Sequence, residues 1–401
     1  MKSKANYYSI LLSIVINNFG DVLFDLFIVW RITRETESIM SAVYLIGSSI
    51  LFRAVLSVFV GFIVDRFNKK RMIIFSCISS ACIISVFALL YEFIKVNIVF
   101  GVIIILLNDI NNEVFSRGTM LLSAELFDKE VFIKFQAKYS VINRIVVIAG
   151  SSIVGFMMTI IPDALVFVID ILTFIISSML ILFVSYEYTA STKLKKTIGG
   201  ELRRIRDDVK CMAKEMRTNK FIIKFIIIMF ILNIAYGYIP YILPVKIAND
   251  SANPTLLGVI KSSIAIGEVI GLSAVSIFGD KVSLLFKTSM IGNSIVIAIL
   301  CFSQATIIVV ICFLLYGALD SITQPLFGYT VSIIDEENRG KVLGGIDAII
   351  LLSPSVGMYI VTRLMDISSL AGHAMLILVF LIAFLIIRLS GELNGIDLKK
   401  V

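Results

Sequence analysis

The chain has 401 residues, of which 58% are hydrophobic and 16% charged, and its formal net charge is +7. Soluble domains are about half apolar and about a quarter charged, so this composition indicates a protein of the bilayer whose basic residues collect in cytoplasmic loops. Five irregularly spaced cysteines, a single histidine and the lack of a basic, aromatic-rich stripe indicate no disulfide framework, metal site, cofactor or nucleic-acid partner.

Apolar stretches recur along the chain at the length of a membrane-crossing helix, which needs about 20 residues. We predict an all-α membrane protein with twelve transmembrane helices, called spans 1 to 12 in chain order. They cover 8–31, 40–64, 71–93, 97–117, 136–159, 163–185, 221–243, 254–278, 284–304, 306–329, 341–365 and 371–391. Span 1 is too long for a secretory signal, so we expect it to be retained.

A polar and basic stretch in the middle of the chain divides the spans into six plus six. We predict an N-terminal six-helix bundle (1–186), a cytoplasmic linker with an amphipathic helix (187–220) and a C-terminal six-helix bundle (221–401). A simple solvated linker is the alternative for the middle segment. Lysine and arginine collect on one side of alternating spans, which predicts a multi-pass protein of the inner membrane with both termini in the cytoplasm.

The two halves carry related loops, because span 2 ends in Asp65-Arg66 and span 8 in Asp280-Lys281. Repeated halves are typical of secondary transporters, whose substrate site lies near the middle of the membrane. The chain has neither a phosphate-binding loop nor a nucleophile beside a base. We therefore predict a transporter driven by an ion gradient, with no ATP hydrolysis and no enzyme activity.

Acidic residues in span 1 are the first candidates for proton coupling. Asp21 and Asp25 are four residues apart and share a helix face. Both cannot ionise cheaply in a dry site unless a cation lies nearby. Arg53 in span 2 lies at a depth of about 17 Å against about 20 Å for Asp21, at about 1.5 Å per residue. We predict an Asp21–Arg53 pair that leaves Asp25 freer to exchange a proton; a static structural network is the alternative.

Span 4 contains a polar run that is too dense to face lipid. Asn108 and Asn112 are one turn apart, as are Asp109 and Glu113, and Asn17 in span 1 adds a further amide. Polar residues inside a membrane protein face its interior or a water-filled cavity. We predict that Asp109 and Glu113 take part in proton coupling and that the three amides line the substrate cavity.

The second half offers candidates of the same two kinds. Glu268 in span 8, with Lys261 two turns away on the same face, and Asp320 in span 10 are candidates for proton coupling. Tyrosines close to a proline kink form a wall that suits a bulky amphipathic ligand, although a belt of tyrosines at the membrane interface is the alternative. The cavity candidates of this half are Asn233, Tyr236, Tyr238 and Gln324.

The stretch Gly61-x-x-x-Asp65-Arg66-x-Asn68-Lys69-Lys70 resembles the loop between helices 2 and 3 of the major facilitator superfamily, with Asn68 and Lys69 in place of glycine and arginine. The resemblance implies that superfamily's fold, with two pseudo-symmetric six-helix bundles. It also implies a cytoplasmic gate in which Asp65 helps to latch the halves and Arg117 is its partner. The gate residues would be Gly61, Asp65, Arg66, Lys70 and Arg117.

Further stretches, including Ile169-Asp170-x-x-Thr173-Phe174, resemble the branch that holds macrolide-efflux-type exporters and the enterobactin exporter. This resemblance implies a monomer that exports amphipathic drugs such as macrolides by alternating access, coupled to protons. Ser151 stands after Gly150 where the superfamily's antiporter motif has proline. The alternatives are an exporter of a native metabolite, siderophore or peptide, and a non-transporting membrane receptor or immunity protein.

Overall fold

The computed structural model describes residues 2–94, 98–186, 220–278, 281–332, 334, 346 and 349–390, and these are helical apart from short turns. The predicted linker helix and the Asp280 side of the repeated loop lie outside these residues. The helices are α1 (Lys2–Glu35), α2 (Ile39–Arg66), α3 (Lys69–Ile94), α4 (Ile98–Leu126), α5 (Lys129–Ile160), α6 (Asp163–Leu182), α7 (Lys220–Tyr238), α8 (Leu243–Asp250), α9 (Pro254–Phe278), α10 (Val282–Phe302), α11 (Thr306–Ser321), α12 (Gln324–Ser332), α13 (Ser353–Ile367) and α14 (Ser369–Leu389).

Within the described ranges, nine helices are long and apolar enough to cross a membrane, and Ile39–Arg53 and Thr306–Ser321 are shorter apolar helices. Large apolar side chains project from them into the surroundings, since Leu89, Phe302 and Leu389 are 82%, 83% and 82% exposed. A water-soluble protein does not expose so many large apolar groups. This is a polytopic membrane protein whose outer face is solvated by lipid.

Five of the twelve predicted spans (1, 2, 3, 5 and 8) lie wholly inside one observed helix, and the other seven overlap a helix but run past one of its ends or past the described residues. Span 10 differs, because the chain leaves α11 at Ile322–Thr323 and starts α12 with Gln324-Pro325. Proline has no backbone N–H to continue the helix. Span 7 likewise ends at Tyr238, before a turn that leads to the short α8, and α13 holds only the second half of span 11.

The chain forms two compact units. The first contains the described parts of Met1–Leu194 together with Val245–Ser262, and the second contains the described parts of Lys195–Pro244 and Ser263–Val401. The boundary therefore falls inside α9, whose first turns pack with the first unit. The predicted division at 187–220 stays a prediction, because that segment lies outside the described residues.

In the first unit, α1 packs along α6 through polar contacts. Ser177 Oγ donates to the Ser13 carbonyl (2.7 Å), and Asn6 exchanges two hydrogen bonds of 2.9 Å with the backbone of Ser185. Further along, a Cβ on Gly20 would overlap Thr173 Oγ1, so only glycine permits this approach of the two helices. Small residues and interhelical hydrogen bonds replace the hydrophobic effect as the force between helices in lipid.

At the other end of α1 and α6, an ion pair and an aromatic cluster close the unit. Arg31 pairs with Asp163, and Tyr91 of α3 donates to Asp163 Oδ2 (3.2 Å). The ring of Phe167 packs against Tyr91 and Phe27 with centroid distances of 5.2 and 5.3 Å. These contacts fix the height of α1, which carries the acidic candidates, relative to α3 and α6.

The second unit is built around two seams. α13 packs against α7, and α14 lies against α10, α7 and α13. α9 and α11 meet at small residues, because a Cβ on Gly317 would stand 3.1 Å from the backbone N of Glu268. Close backbone approach leaves the side chains of Glu268 and Asp320 on adjoining helices of the same unit.

Candidate functional site

Asp21 is held by amides from two helices. Asn17, one turn away on α1, donates from Nδ2 to Asp21 Oδ2 (3.1 Å), and Asn112 of α4 donates to Oδ1 (3.3 Å). Asn17 is itself buried, with 1% of its surface exposed. Helices α1 and α4 therefore meet at Asp21 and Asn112, a contact that the sequence did not predict, and the role of these residues in a substrate cavity stays a prediction. Asp25, one turn further along α1, is more exposed than Asp21.

Arg53 of α2 is the cation that the carboxylates share. It lies within electrostatic range of Asp21, Asp25, Asp109 and Glu113. The sequence predicted a pair between Arg53 and Asp21; the structure gives Arg53 several acidic neighbours, and the oxygens of Asp21 accept from amides instead. One guanidinium cannot neutralise every carboxylate around it, so the cluster carries an excess of acidic groups.

The polar run of α4 splits between several directions. Asp109 accepts a hydrogen bond from Ser49 of α2, whereas Asn111 donates to Ser79 Oγ of α3 (3.0 Å). Glu113 accepts from Arg117 Nε one turn along the same helix (2.6 Å). Consecutive helical positions point about 100° apart, so a run of five residues cannot line one cavity. Asp109 and Asn112 face the cluster, and Asn111 packs towards α3.

Among the described residues of α1, α4 and α6, four acceptor atoms are buried without a hydrogen-bond partner. They are Oδ1 of Asn17, Oδ1 of Asn108, Oδ2 of Asp109 and Oδ2 of Asp170. Buried polar atoms are nearly always satisfied by protein or ordered water, and an exception calls for an explanation. Their position on three packed helices marks a region that a proton, water or polar ligand group can occupy.

The candidates of the second unit lie in different surroundings. Asn233 donates to the Met229 carbonyl of its own helix (2.7 Å), and Tyr238 is completely buried. Tyr236 packs on Tyr316 with a centroid distance of 6.4 Å, and both lie within electrostatic range of Asp320. A buried tyrosine layer therefore lies beside Asp320, and the ligand-binding wall stays a prediction.

Glu268 and Gln324 complete the predicted set. Glu268 is half-buried on the part of α9 that packs with α11, and Gln324 is exposed at the start of α12. Lys261, which the sequence associated with Glu268, lies within electrostatic range of Asp25 of the first unit's cluster. The part of the structure described here contains no group of three histidine, cysteine or acidic residues suited to a metal ion.

Residues 10–332, well over half of the chain, match the profile of the Major Facilitator Superfamily. The chain belongs to the major facilitator superfamily. The prediction of an all-α membrane protein with that superfamily's fold, twelve transmembrane helices in two pseudo-symmetric bundles, is confirmed. No curated protein sequence matches this superfamily member.

Solved structures with the same fold transport chemically different substrates. The nucleoside transporter NupG is 12% identical, covers 95% of this chain over 97% of its own length, and has a TM-score of 0.68. A variant of the peptide transporter POT is 9% identical, with 98% and 95% coverage and a TM-score of 0.74. A bacterial homologue of the iron transporter ferroportin in an inward-facing state is 12% identical, with 95% and 97% coverage and a TM-score of 0.69. At these identities the likeness shows the fold alone.

The gate motif of this superfamily member is described only in part. The side chains of Gly61, Asp65 and Arg66 lie outside the described set, so the latch between Asp65 and Arg117 stays a prediction. Lys70 donates to the carbonyls of Leu182 and Val184, both at 2.8 Å, where α6 ends. A cation is favourable at the negative end of a helix dipole.

Two features of the first unit were missed at the sequence level. Lys69, a residue of the gate loop, pairs with Glu125 near the end of α4 (3.0 Å). Lys261 reaches the acidic cluster from a helix that the sequence assigned to the other half. The sequence gives no sign that Lys69 is buried in the folded unit, so its need for an acidic partner could not be predicted. Lys261 is different, because a lysine inside a membrane span is itself a reason to search for an acidic partner.

Proposed function

We propose that this superfamily member is a secondary active transporter that exports amphipathic small molecules, such as macrolides, in exchange for protons, with both termini in the cytoplasm. The observation that carries the proposal is the cluster of Asp21, Asp25 and Asp109 around Arg53. A transporter without a coupling ion has no need of several carboxylates at one place inside the membrane, where charge is costly.

The charge balance of the cluster supports proton coupling. Glu113 is paired with Arg117, which leaves three carboxylates for two cations, Arg53 and, within range of Asp25, Lys261. A low-dielectric site disfavours such an excess of negative charge, and binding a proton removes one charge. The protonated and deprotonated clusters therefore differ in their preference for an open or a closed surrounding, which is how a proton biases two conformations.

Asp25 is our proposed exchange position. Asp21 is held by two amide donors, whereas Asp25 is the more exposed of the two. An exposed carboxyl beside a fixed charged network can gain or lose its proton without disturbing the hydrogen bonds of the network. The assignment is consistent with the sequence-based hypothesis that Asp25 is the freer group.

A pocket of about 90 Å³ lies between α1, α4 and α5. Aromatic rings and neutral polar groups share its wall, a chemistry that suits part of an amphipathic ligand, but a whole drug-sized molecule needs a site of about 300–1,000 Å³ and so requires this pocket to widen. The lining residues include Asn18, Phe115, Ser116, Phe135, Gln136 and Tyr139. Asn18 Nδ2 donates to Asn143 Oδ1 of α5 (2.7 Å), and this bond fixes the orientation of the Asn18 side-chain amide.

The test uses proteoliposomes that contain a trapped pH-sensitive dye. Erythromycin added to the wild-type protein is expected to drive proton movement, and Asp25→Asn is expected to abolish it. Asp250→Asn is the matched control, because Asp250 is an exposed aspartate that pairs with Lys246 at 3.2 Å on α8. Erythromycin transport that is unchanged after the proton gradient is collapsed would overturn the proposal.

A susceptibility panel on cells that express the chain, with and without a protonophore, identifies the substrate class. Protection against macrolides that disappears with the protonophore supports drug export. Protection against no amphipathic drug, together with proton movement driven by a siderophore or a peptide, favours the competing function of a dedicated metabolite exporter. Binding without movement of any ligand would indicate a receptor or immunity protein instead.

A further inference from the structure

A groove of about 640 Å³, called here the α2–α3 groove, opens where α2 ends and α3 begins. Its lining includes Phe67, Asn68, Arg71, Met72 and Phe75. The two rings project from the protein, since Phe67 is 56% and Phe75 68% exposed. Sites for small ligands have volumes of about 300–1,000 Å³, so the groove is large enough for the headgroup and glycerol of a lipid.

Three basic residues follow one another at the start of α3, and two of them bind within the protein. Lys69 is buried and pairs with Glu125 of α4 (3.0 Å). Lys70 donates to two carbonyls where α6 ends. Arg71 is exposed, and the described residues give its guanidinium group no acceptor. The α2–α3 groove therefore contains one positive charge that the packing of the unit does not use.

Asn68 is the helix cap beside this charge. Its Oδ1 accepts from the backbone N–H of Arg71 (3.1 Å), and its backbone carbonyl accepts from the N–H of Met72 (3.0 Å). An asparagine that caps a helix in this way has its side-chain oxygen engaged, so the group that it retains for a ligand is chiefly the Nδ2 donor. The polar groups of the α2–α3 groove are thus donors, which suit an anion.

Beyond the α2–α3 groove, α3 presents an apolar stripe that faces the lipid. The exposed residues of this α3 stripe recur every three or four positions and so share one helix face. They are Phe75, Ile78, Cys82, Val86 and Leu89. From Phe75 to Leu89 the stripe is about 21 Å long at about 1.5 Å per residue, and half of the hydrocarbon core is about 15 Å thick. An acyl chain that begins in the groove can therefore contact the stripe over its whole length.

We propose that the α2–α3 groove binds an anionic phospholipid, with its phosphate on Arg71 and Asn68 and one acyl chain along Phe75 and the α3 stripe. The planar guanidinium group of arginine matches the geometry of a phosphate. Phosphatidylglycerol carries one net negative charge, which matches the single unpaired cation. The ammonium group of phosphatidylethanolamine would bring a second cation to Arg71, and a free phosphate ion would leave both rings uncovered. Lipid binding at this place is independent of the substrate that the protein transports.

Native mass spectrometry of the purified full-length protein in detergent tests this site. The protein is titrated with phosphatidylglycerol and, separately, with phosphatidylethanolamine of the same acyl chains, and the dissociation constant of the first bound lipid is measured. Wild type is expected to bind phosphatidylglycerol more tightly. Arg71→Gln is expected to weaken that binding about fivefold, the effect of one basic residue near an anionic lipid surface, and to remove the preference. Arg71→Lys is expected to retain it.

Two further variants separate the charge of the groove from its apolar wall. Arg388→Gln is the matched control, because Arg388 is an exposed arginine in the last turn of α14, and it is expected to leave both lipids bound as in wild type. Phe75→Ala keeps the arginine and shortens the apolar wall, so both lipids are expected to bind more weakly. Phe75→Ala also provides the test if Arg71→Gln does not fold. Inorganic phosphate at millimolar concentration is not expected to displace phosphatidylglycerol.

Each part of the proposed site has an outcome that overturns it. Equal affinities of wild type for the two lipids overturn the recognition of an anion. A preference that Arg71→Gln retains, or that Arg388→Gln also removes, overturns the assignment to the α2–α3 groove. Unchanged binding in Phe75→Ala overturns the place of the acyl chain, and displacement by inorganic phosphate assigns the groove to a free anion instead of a lipid.

Discussion

Substitution of Gly20 tests the contact that holds α1 against α6. The added Cβ of Gly20→Ala would overlap Thr173 Oγ1 and stand 2.6 Å from Asp170 Oδ1. An unstrained contact needs about 3.5 Å, so the helices must separate by about 1 Å or the side chains must leave their positions. Thr173 Oγ1 also donates to the Asp170 carbonyl (2.7 Å), which makes that movement costly.

The magnitude follows from two opposing terms. Overpacking costs about 1–3 kcal/mol, and replacing glycine with alanine inside a helix recovers about 0.5–1 kcal/mol. We expect a net destabilisation of about 1–2 kcal/mol from the difference of these terms. The measurement is the fraction of protein that stays monodisperse in detergent after heating. The midpoint temperature of this thermal denaturation should fall by several degrees.

The matched control is Gly150→Ala, a glycine on the other neighbour of α1. Its Cβ would meet Val22 Cγ1 at 3.2 Å, a side-chain atom that can shift by a few tenths of an ångström. We expect little or no loss of stability there. A Gly20→Ala protein as stable as Gly150→Ala would refute the reasoning, as would a Gly20→Ala defect that Thr173→Ala fails to reduce.

Three smaller effects follow from single contacts. Tyr91→Phe removes the hydrogen bond to Asp163 and should cost about 1 kcal/mol of stability, while Tyr91→Leu should cost more through the ring cluster; equal losses would contradict this order. Asn111→Ala should lower the stability by about 0.6 kcal/mol, because the hydrogen bond to Ser79 is lost, and should leave proton movement unchanged, because Asn111 faces α3. A transport defect in a variant of normal stability would contradict this placement of Asn111. Lys70→Met should destabilise the end of α6 by about 0.3–1 kcal/mol, because the cation at the helix end is lost. Lys70→Arg keeps the cation and should keep wild-type stability when the protein is heated in detergent.

Length, hydropathy and flanking charge were sufficient to predict the helices of this fold, because a lipid solvent requires long, uniformly apolar segments. Hydropathy averaged over a span does not register a two-residue turn, so the break between α11 and α12 was missed although Pro325 signals it. The middle segment 187–220 and the latch residue Asp65 cannot be compared, since their side chains lie outside the described residues.

At the candidate site, the sequence identified the acidic residues but could not assign their neighbours. Spacing along one helix shows which residues share a face, as for Asp21 and Asp25, and the same spacing brings Asn17 to Asp21, a bond that the sequence analysis did not name. Which other helix meets that face depends on the packing of the whole unit. Lys261 illustrates the difference, because its helical neighbour is Glu268 whereas its electrostatic neighbour is Asp25.

The polar contacts between α1 and α6 have a consequence for biogenesis. Asn6 and Ser185 are 179 positions apart, and Ser13 and Ser177 are 164 apart. During synthesis α1 emerges long before α6, so the amide of Asn6 and the hydroxyl of Ser13 have no α6 partner in the translocon or the lipid until α6 has been synthesised. The α1–α6 contacts can form only when α6 has entered the membrane, and a chain truncated before α6 is expected to be a substrate for membrane quality-control proteases.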